Sequence, residues 1–463
     1  MEEIIWRCPC GDIKGENIGE AAWFRGIPYA NTKRFEPPEI IESWEGVFDG
    51  TKTEVDCFQF SSFHEETGGF YAKEFRSGKT FTYDESPMTL NIVAPFGENE
   101  SYQKDSIDGT DDKNSSNINN RNQYKDCPVL MFIHGGGFET GTVGELPYGN
   151  CTAYAKNGVV FVSIGYRLNA FGLFGGTNYM LLDQLCAIDW VKKNISSFGG
   201  NPDNITLIGQ SAGAMCIMDL LCSPLIKGKI SGAIMMSGAG VIPGFASPFR
   251  KNEVLDFWKK VEEEAGGNAK AASAKELWFA WKKVRSAGNP IKGLRASQPC
   301  VDGVTLFKSQ KEVVHNGEFL DVPLMVGVTS QDLAPVFLYD MALKLGLSCD
   351  RQGKSPVYGY FFDRTLPGNS FRAFHASDLW YMFGNLEKSW RPFEAMDDSL
   401  HEDMVRDVVS FCKKKKPHNE SWLPVSKSNH CFRHYDGVNQ GMVLEKDCRK
   451  KVRHSMIFDR GPM

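Results

Sequence analysis

Residues 206–214 read Thr-Leu-Ile-Gly-Gln-Ser-Ala-Gly-Ala. A serine hydroxyl is a weak nucleophile until the backbone presents it sharply to a base. Gly209-Gln210-Ser211-Ala212-Gly213 follows an apolar, β-branched run and has the composition of a strand-to-helix elbow that does this. Its glycines remove the Cβ atoms that would clash in so tight a turn. The helix beyond would add its positive end and the N–H of Ala212. By itself the pentapeptide also fits an ordinary turn.

A second motif makes the chemistry specific. Val129-Leu130-Met131-Phe132-Ile133 is a continuous apolar run of buried-strand type, leading into His134-Gly135-Gly136-Gly137-Phe138. Three glycines in a row cost backbone entropy, and a bland loop would not favour them. They let N–H groups converge on one point, as an oxyanion hole requires; the expected donors are Gly136, Gly137 and Ala212. Acyl transfer then needs an acid and a histidine after the serine, each at the end of a core strand. Val357–Phe362 reads as a late strand, and His375 follows it across a loop with Pro367 and Gly368. His401 lies in a charged helical pattern, whereas His418, His430, His434 and His454 sit in polar, basic stretches expected at the surface. For the acid, Pro323–Val328 reads as a strand running into Thr329-Ser330-Gln331-Asp332. Asp332 is preferred: Asp302 looks like a turn residue, Asp321 precedes its strand, Asp340 falls on a helix and Asp363 caps the last strand.

At this point the chain resembles a known family, the type-B carboxylesterases, which include bacterial para-nitrobenzyl esterases, cholinesterases and neuroligins. The resemblance rests on Phe24-Arg25-Gly26-Ile27-Pro28-Tyr29-Ala30, Leu90-Asn91-Ile92, Tyr166-Arg167-Leu168, Asp183-Gln184, Phe198-Gly199-Gly200-Asn201-Pro202, Gly327–Asp332 and Phe374-His375, in order along nearly the whole chain. It implies an α/β-hydrolase fold, with a central mostly parallel mixed sheet flanked by helices, as a single domain over 1–463. It further implies a serine carboxylesterase working through an acyl-enzyme on Ser211, with His375 as base and Asp332 as the acid. Ser237 would stand near the His–acid pair or simply close a strand end. Two departures stand out: Gln210 where the family usually has Glu, and Asp332 where it usually has Glu. Cys57 has also lost the partner that secreted members supply. The alternatives left open are a non-catalytic, neuroligin-like binding protein and a thioesterase or amidase with the same three residues.

Composition is compatible with this reading. The 463 residues are 42% hydrophobic and 12% aromatic, enough for a large core, and carry a net charge of −5. That charge offers nothing for nucleic acid, and Lys413–Lys416 reads as a solvated helix end. No apolar stretch approaches about 18 residues, so no membrane span is expected. The acidic start, Met1-Glu2-Glu3, and thirteen scattered cysteines suggest reduced thiols in a cytoplasmic chain. Cys8-Pro9-Cys10 lacks a second ligand pair for a metal, and no cofactor is expected; the expected partner is a small ester. Residues 97–126, rich in Asp, Asn, Ser and Lys, read as a flexible polar insert between two strands. Residues 57–87 carry many aromatics, which would pack the loop onto the body or line a lid over apolar esters.

Overall fold

The computed structural model describes residues 2–60, 69–97, 124–241, 249–288, 290–368, 371–438 and 441–458. Most of the polar insert, 98–123, lies outside these residues, as does Phe63 of the aromatic stretch. Among the described residues, thirteen strands form one sheet. In chain order they are β1 (Glu2–Cys8), β2 (Gly11–Asn17), β3 (Ala21–Pro28), β4 (Val47–Asp49), β5 (Thr89–Pro95), β6 (Cys127–Ile133), β7 (Val160–Ile164), β8 (Gly200–Gln210), β9 (Gly232–Met236), β10 (Leu324–Thr329), β11 (Val357–Phe362), β12 (Phe432–Tyr435) and β13 (Met442–Val443). The spatial order is β1-β2-β3-β5-β7-β6-β8-β9-β10-β11-β12-β13, with β4 beside β2. From β7 to β12 every neighbouring pair is parallel; the flanks are antiparallel apart from β4, which runs parallel to β2.

The parallel block explains the apolar runs. In β6, Val129, Met131 and Ile133 belong to one hydrophobic core, while Leu130 and Phe132 face another on the opposite side. A strand covered on both faces has no polar side to show, so its sequence does not alternate. The parallel register also brings the carboxyl ends of β6, β8, β9, β10 and β11 to one edge of the sheet, where ligands of open α/β sheets bind.

The helices around the sheet include α1 (Phe70–Phe75), α2 (Tyr179–Asn194), α3 (Ala212–Cys222), α4 (Ala274–Ser286), α5 (Pro335–Arg351), α6 (Leu379–Phe383) and α7 (Ala395–Lys414). Two buried ion pairs tie the surrounding chain down. Arg167 donates to both oxygens of Asp183, on α2, at 2.9 and 2.6 Å. Glu74, on α1, accepts from Arg391 Nε at 2.7 Å and from the Trp380 indole at 2.9 Å. Removing one partner of such a pair costs about 3–5 kcal/mol, because the other charge is left buried alone.

Four expectations need correcting. Cys8 and Cys10 are joined in a disulfide where β1 turns into β2, so these two are not thiols; the other eleven cysteines are free. His434 is not a surface residue: it is buried in β12 and faces Asp363 at 3.4 Å. That partner, at the end of a neighbouring strand, makes its burial tolerable. Nor is β11 the last strand, since β12 and β13 follow it in the same sheet. Lys415 is not simply solvated, since its ammonium reaches Asn204 Oδ1 at 2.6 Å just past the end of α7.

Candidate active site

β8 ends at Gln210 and α3 begins at Ala212, leaving Ser211 alone at the turn with φ 55° and ψ −122°. This is a costly conformation for a residue with a side chain, and the surroundings enforce it. Ser211 N donates to Met236 O at 2.8 Å, and Met215 N donates back to Ser211 O at 2.9 Å. The flanking glycines are obligatory. A Cβ on Gly213 would stand 2.0 Å from Ile133 O, and one on Gly209 would stand 2.7 Å from the Gly213 backbone.

His375 Nε2 lies 2.9 Å from Ser211 Oγ, and His375 Nδ1 bonds the Asp332 carboxylate. Asp332 is fixed in turn by the Thr329 hydroxyl at 3.0 Å and by Leu333 N at 2.9 Å. An aspartate is one methylene shorter than glutamate, so the acid has to approach the imidazole more closely or through an adjusted backbone. The two loops are pinned together: Gln331 N donates to Ala373 O at 2.9 Å, and Gln331 bridges Phe374 in parallel. The neighbouring residues, Asp332 and His375, are thereby drawn into contact.

The electrostatics follow from this burial. Desolvation alone would push the His375 imidazole down, but the Asp332 charge and hydrogen bond outweigh it and raise its pKa. Desolvation would likewise raise Asp332, yet the His375 interactions hold it below the usual carboxylate value. The Ser237 hydroxyl, at φ 52°, adds to that lowering, although its Oγ has no partner in full hydrogen-bond geometry.

The glycine loop leaves β6 beside the serine. Gly136 and Gly137 take φ 107° and 65°. A Cβ on Gly136 would stand 2.0 Å from Thr140 O, so the loop could not close with any other residue there. His134 stacks on Tyr166 with ring centroids 4.5 Å apart, and burial lowers it to about 4, leaving it neutral. Gly135, Gly136, Gly137, Ser211 and His375 line one cavity of about 540 Å³. Its other walls include Phe60, Tyr71, Phe75, Phe132, Tyr148 and Trp278. Two charged groups of each sign face in, and each has a partner: Arg76 with Glu145 at 2.8 Å, and Glu139 with Lys282 at 2.7 Å.

The chain has known relatives. The model of the carboxylesterase family matches residues 2–348. The chain belongs to the carboxylesterase family. It is 32% identical to the human protein named cocaine esterase, over 97% of this chain and 80% of that one. It is 30% identical to the para-nitrobenzyl esterase of Bacillus subtilis, over 89% of this chain and 90% of that one. Among solved structures, a PNB esterase superposes with a TM-score of 0.77 and a thermophilic PNB esterase with 0.79, both at 24% identity and both covering 97% of this chain and 100% of theirs. The fold is that of the α/β-hydrolases, and the protein is a serine carboxylesterase, a carboxylic ester hydrolase. A non-catalytic binding role is not favoured.

The rejected candidates are placed elsewhere. Asp302 caps a turn, accepting from Val304, Thr305 and Leu306 N. Asp340 lies on α5 and pairs with Arg449. Asp363 faces His434 and Lys451, and Asp321 accepts from Ser355 N. His401 is half-buried rather than solvated, its Nδ1 against Tyr381 O at 2.9 Å.

Sequence reasoning missed two neighbours of the histidine. Gln210 places its side-chain amide 3.2 Å from His375 Nε2. Asp378, buried at the start of α6, accepts from the Tyr360 hydroxyl at 2.9 Å, and burial raises it to about 7. Its position three residues after His375 was the available signal. The aromatics of 57–87 divide: Phe60, Tyr71 and Phe75 line the cavity, while Phe58 packs edge-on against Phe171. Glu139, Trp278 and Lys282 at the cavity carried no sequence signal.

Proposed function

We propose that ester hydrolysis runs through an acyl-enzyme on Ser211. Ser211 Oγ attacks the ester carbonyl as His375 Nε2 takes its proton. Asp332 holds the imidazole with Nδ1–H towards itself and offsets the charge that forms. The oxyanion is received by N–H groups of Gly136, Gly137 and Ala212, the last at a helix start whose first amides have no intrahelical acceptor. Each such donor contributes roughly 3 kcal/mol to the transition state. His375 then returns the proton to the leaving alcohol, and water repeats the sequence on the acyl-enzyme. The observation that carries this reading is the unbroken line Ser211–His375–Asp332, open to one cavity.

The substrate we infer is a neutral ester with an apolar or aromatic body. Six large aromatic side chains line the cavity, and its charged groups are already paired with one another, so a charged substrate would have to break an ion pair to gain a partner. The family's esterases make a small-molecule ester the expected partner. No described helix is long and apolar enough to cross a membrane. A cytoplasmic location is supported by the eleven free cysteines, with the Cys8–Cys10 pair as the exception.

The test uses Ser211→Ala and a fluorophosphonate probe. The parent protein should be labelled at Ser211 and hydrolyse para-nitrophenyl esters. The variant should fold, remain unlabelled and show only background hydrolysis. Full activity in the variant, or labelling at another residue, refutes the proposal.

A further inference from the structure

The lone pair of His375 Nε2 has two donors within reach. Ser211 Oγ is 2.9 Å away and the Gln210 side-chain nitrogen is 3.2 Å away. Gln210 is itself buried, and its Oε1 is seated against Gly135, where a Cβ would come within 2.8 Å of it. The glycine therefore makes room for this amide as well as for the turn. The titratable groups around the imidazole are Asp332 from the loop after β10, Asp378 from the start of α6, and Tyr71 from α1, whose hydroxyl lies 3.4 Å from His375 O. Tyr360 caps Asp378. The two carboxyl groups favour a protonated imidazole. At Nε2 itself the neighbour is a neutral amide.

We propose that Gln210 is a positioning residue that keeps His375 unprotonated at Nε2 in the resting enzyme, extending hydrolysis to lower pH than a carboxylate at that position would permit. This rests on the reading of His375 as the base for Ser211. As oriented, the amide N–H donates to the lone pair of the neutral ring, which stabilises the neutral form. If the ring is protonated before substrate arrives, its Nε2–H meets another donor and that bond is lost. When the proton comes from Ser211 during reaction, the new Nε2–H is directed to the leaving oxygen of the ester, an acceptor that only bound substrate supplies. No atom of Gln210 enters the product, and its proton inventory does not change. A carboxylate in the same seat would attract the proton to Nε2 at rest, and the base would be occupied before it was needed.

The experiment measures kcat/KM for para-nitrophenyl acetate, and the rate of fluorophosphonate labelling of Ser211, across the acid limb of the pH profile. It compares the parent protein with Gln210→Glu and with Gln210→Met, which removes the donor without adding charge. An opposite charge this close shifts a pKa by about 1–3 units. The acid limb of Gln210→Glu should therefore move to higher pH by about one unit or more, roughly a tenfold loss below the limb, with activity recovered at alkaline pH. Gln210→Met should move it in the same direction by less. The shift in Gln210→Glu reports the added charge, whereas the shift in Gln210→Met is not expected from a residue that only fills space. An acid limb in Gln210→Met that superimposes on the parent's, with Ser211 still labelled, overturns the proposal whatever Gln210→Glu does. Failure of the parent protein to label at Ser211 is a different result: it removes the nucleophile reading, and this inference with it.

Discussion

Replacing Asp332 by Asn puts the strongest demand on the proposed mechanism. The carboxylate makes two sets of bonds: Oδ1 takes His375 Nδ1 and Leu333 N, while Oδ2 takes Thr329 N and the Thr329 hydroxyl. An amide has one acceptor, so either orientation sets its NH2 against a backbone N–H. With the oxygen towards His375, the ring keeps its useful tautomer but loses its counter-charge. Two unit charges about 4 Å apart, at an effective dielectric near 20, interact by roughly 4 kcal/mol. That amounts to about a thousandfold in rate. With the nitrogen towards His375, Nδ1 must accept, the proton sits on Nε2, and Ser211 has no base; the loss is then closer to ten-thousandfold. Turnover should therefore fall by roughly a thousandfold to ten-thousandfold, with little change in KM. It is measured with para-nitrophenyl acetate near pH 8, alongside circular dichroism to check the fold. A folded Asp332→Asn variant within tenfold of the parent refutes the assignment, and the carboxylate would then have to be sought at Asp378.

Two further outcomes are expected. Gly136→Ala places a Cβ 2.0 Å from Thr140 O at a positive φ, so the loop must move and its N–H groups must leave the oxyanion position; turnover should fall by about a hundredfold or more, and a loss under threefold argues against their role. Asp219, on α3, is buried and raised to about 7 from 3.8, chiefly by desolvation. Its folded form binds the proton more tightly than the unfolded chain does, so its contribution to stability is complete below about pH 4 and fades as pH rises through 7. Asp219→Asn should therefore gain on the parent between pH 5 and 8 in urea unfolding, and a constant difference across that range contradicts the linkage.

Local structure was legible wherever one stretch of chain carries its own constraint. The elbow at Ser211 needs glycines two residues away on either side, and the clash of either Cβ with Ile133 O or the Gly213 backbone shows why no other residues serve. The apolar runs of β6 and β10 had to be strands buried on both faces, and the loops after β10 and β11 were the places where an acid and a base could collect. What could not be read was anything set by partners distant in sequence. His434 looks like a surface residue until Asp363 is placed beside it on the next strand. Asp332 looks one methylene too short until the Gln331–Ala373 bond draws the two loops together. Gln210 looks like a neutral replacement until its amide is found on His375 Nε2, 165 residues away in sequence. Sequence spacing determines which groups an element presents and in which direction. Whether two of them meet depends on the register of the parallel strands and the packing between them, and those energies are summed over the whole core rather than encoded in any one segment.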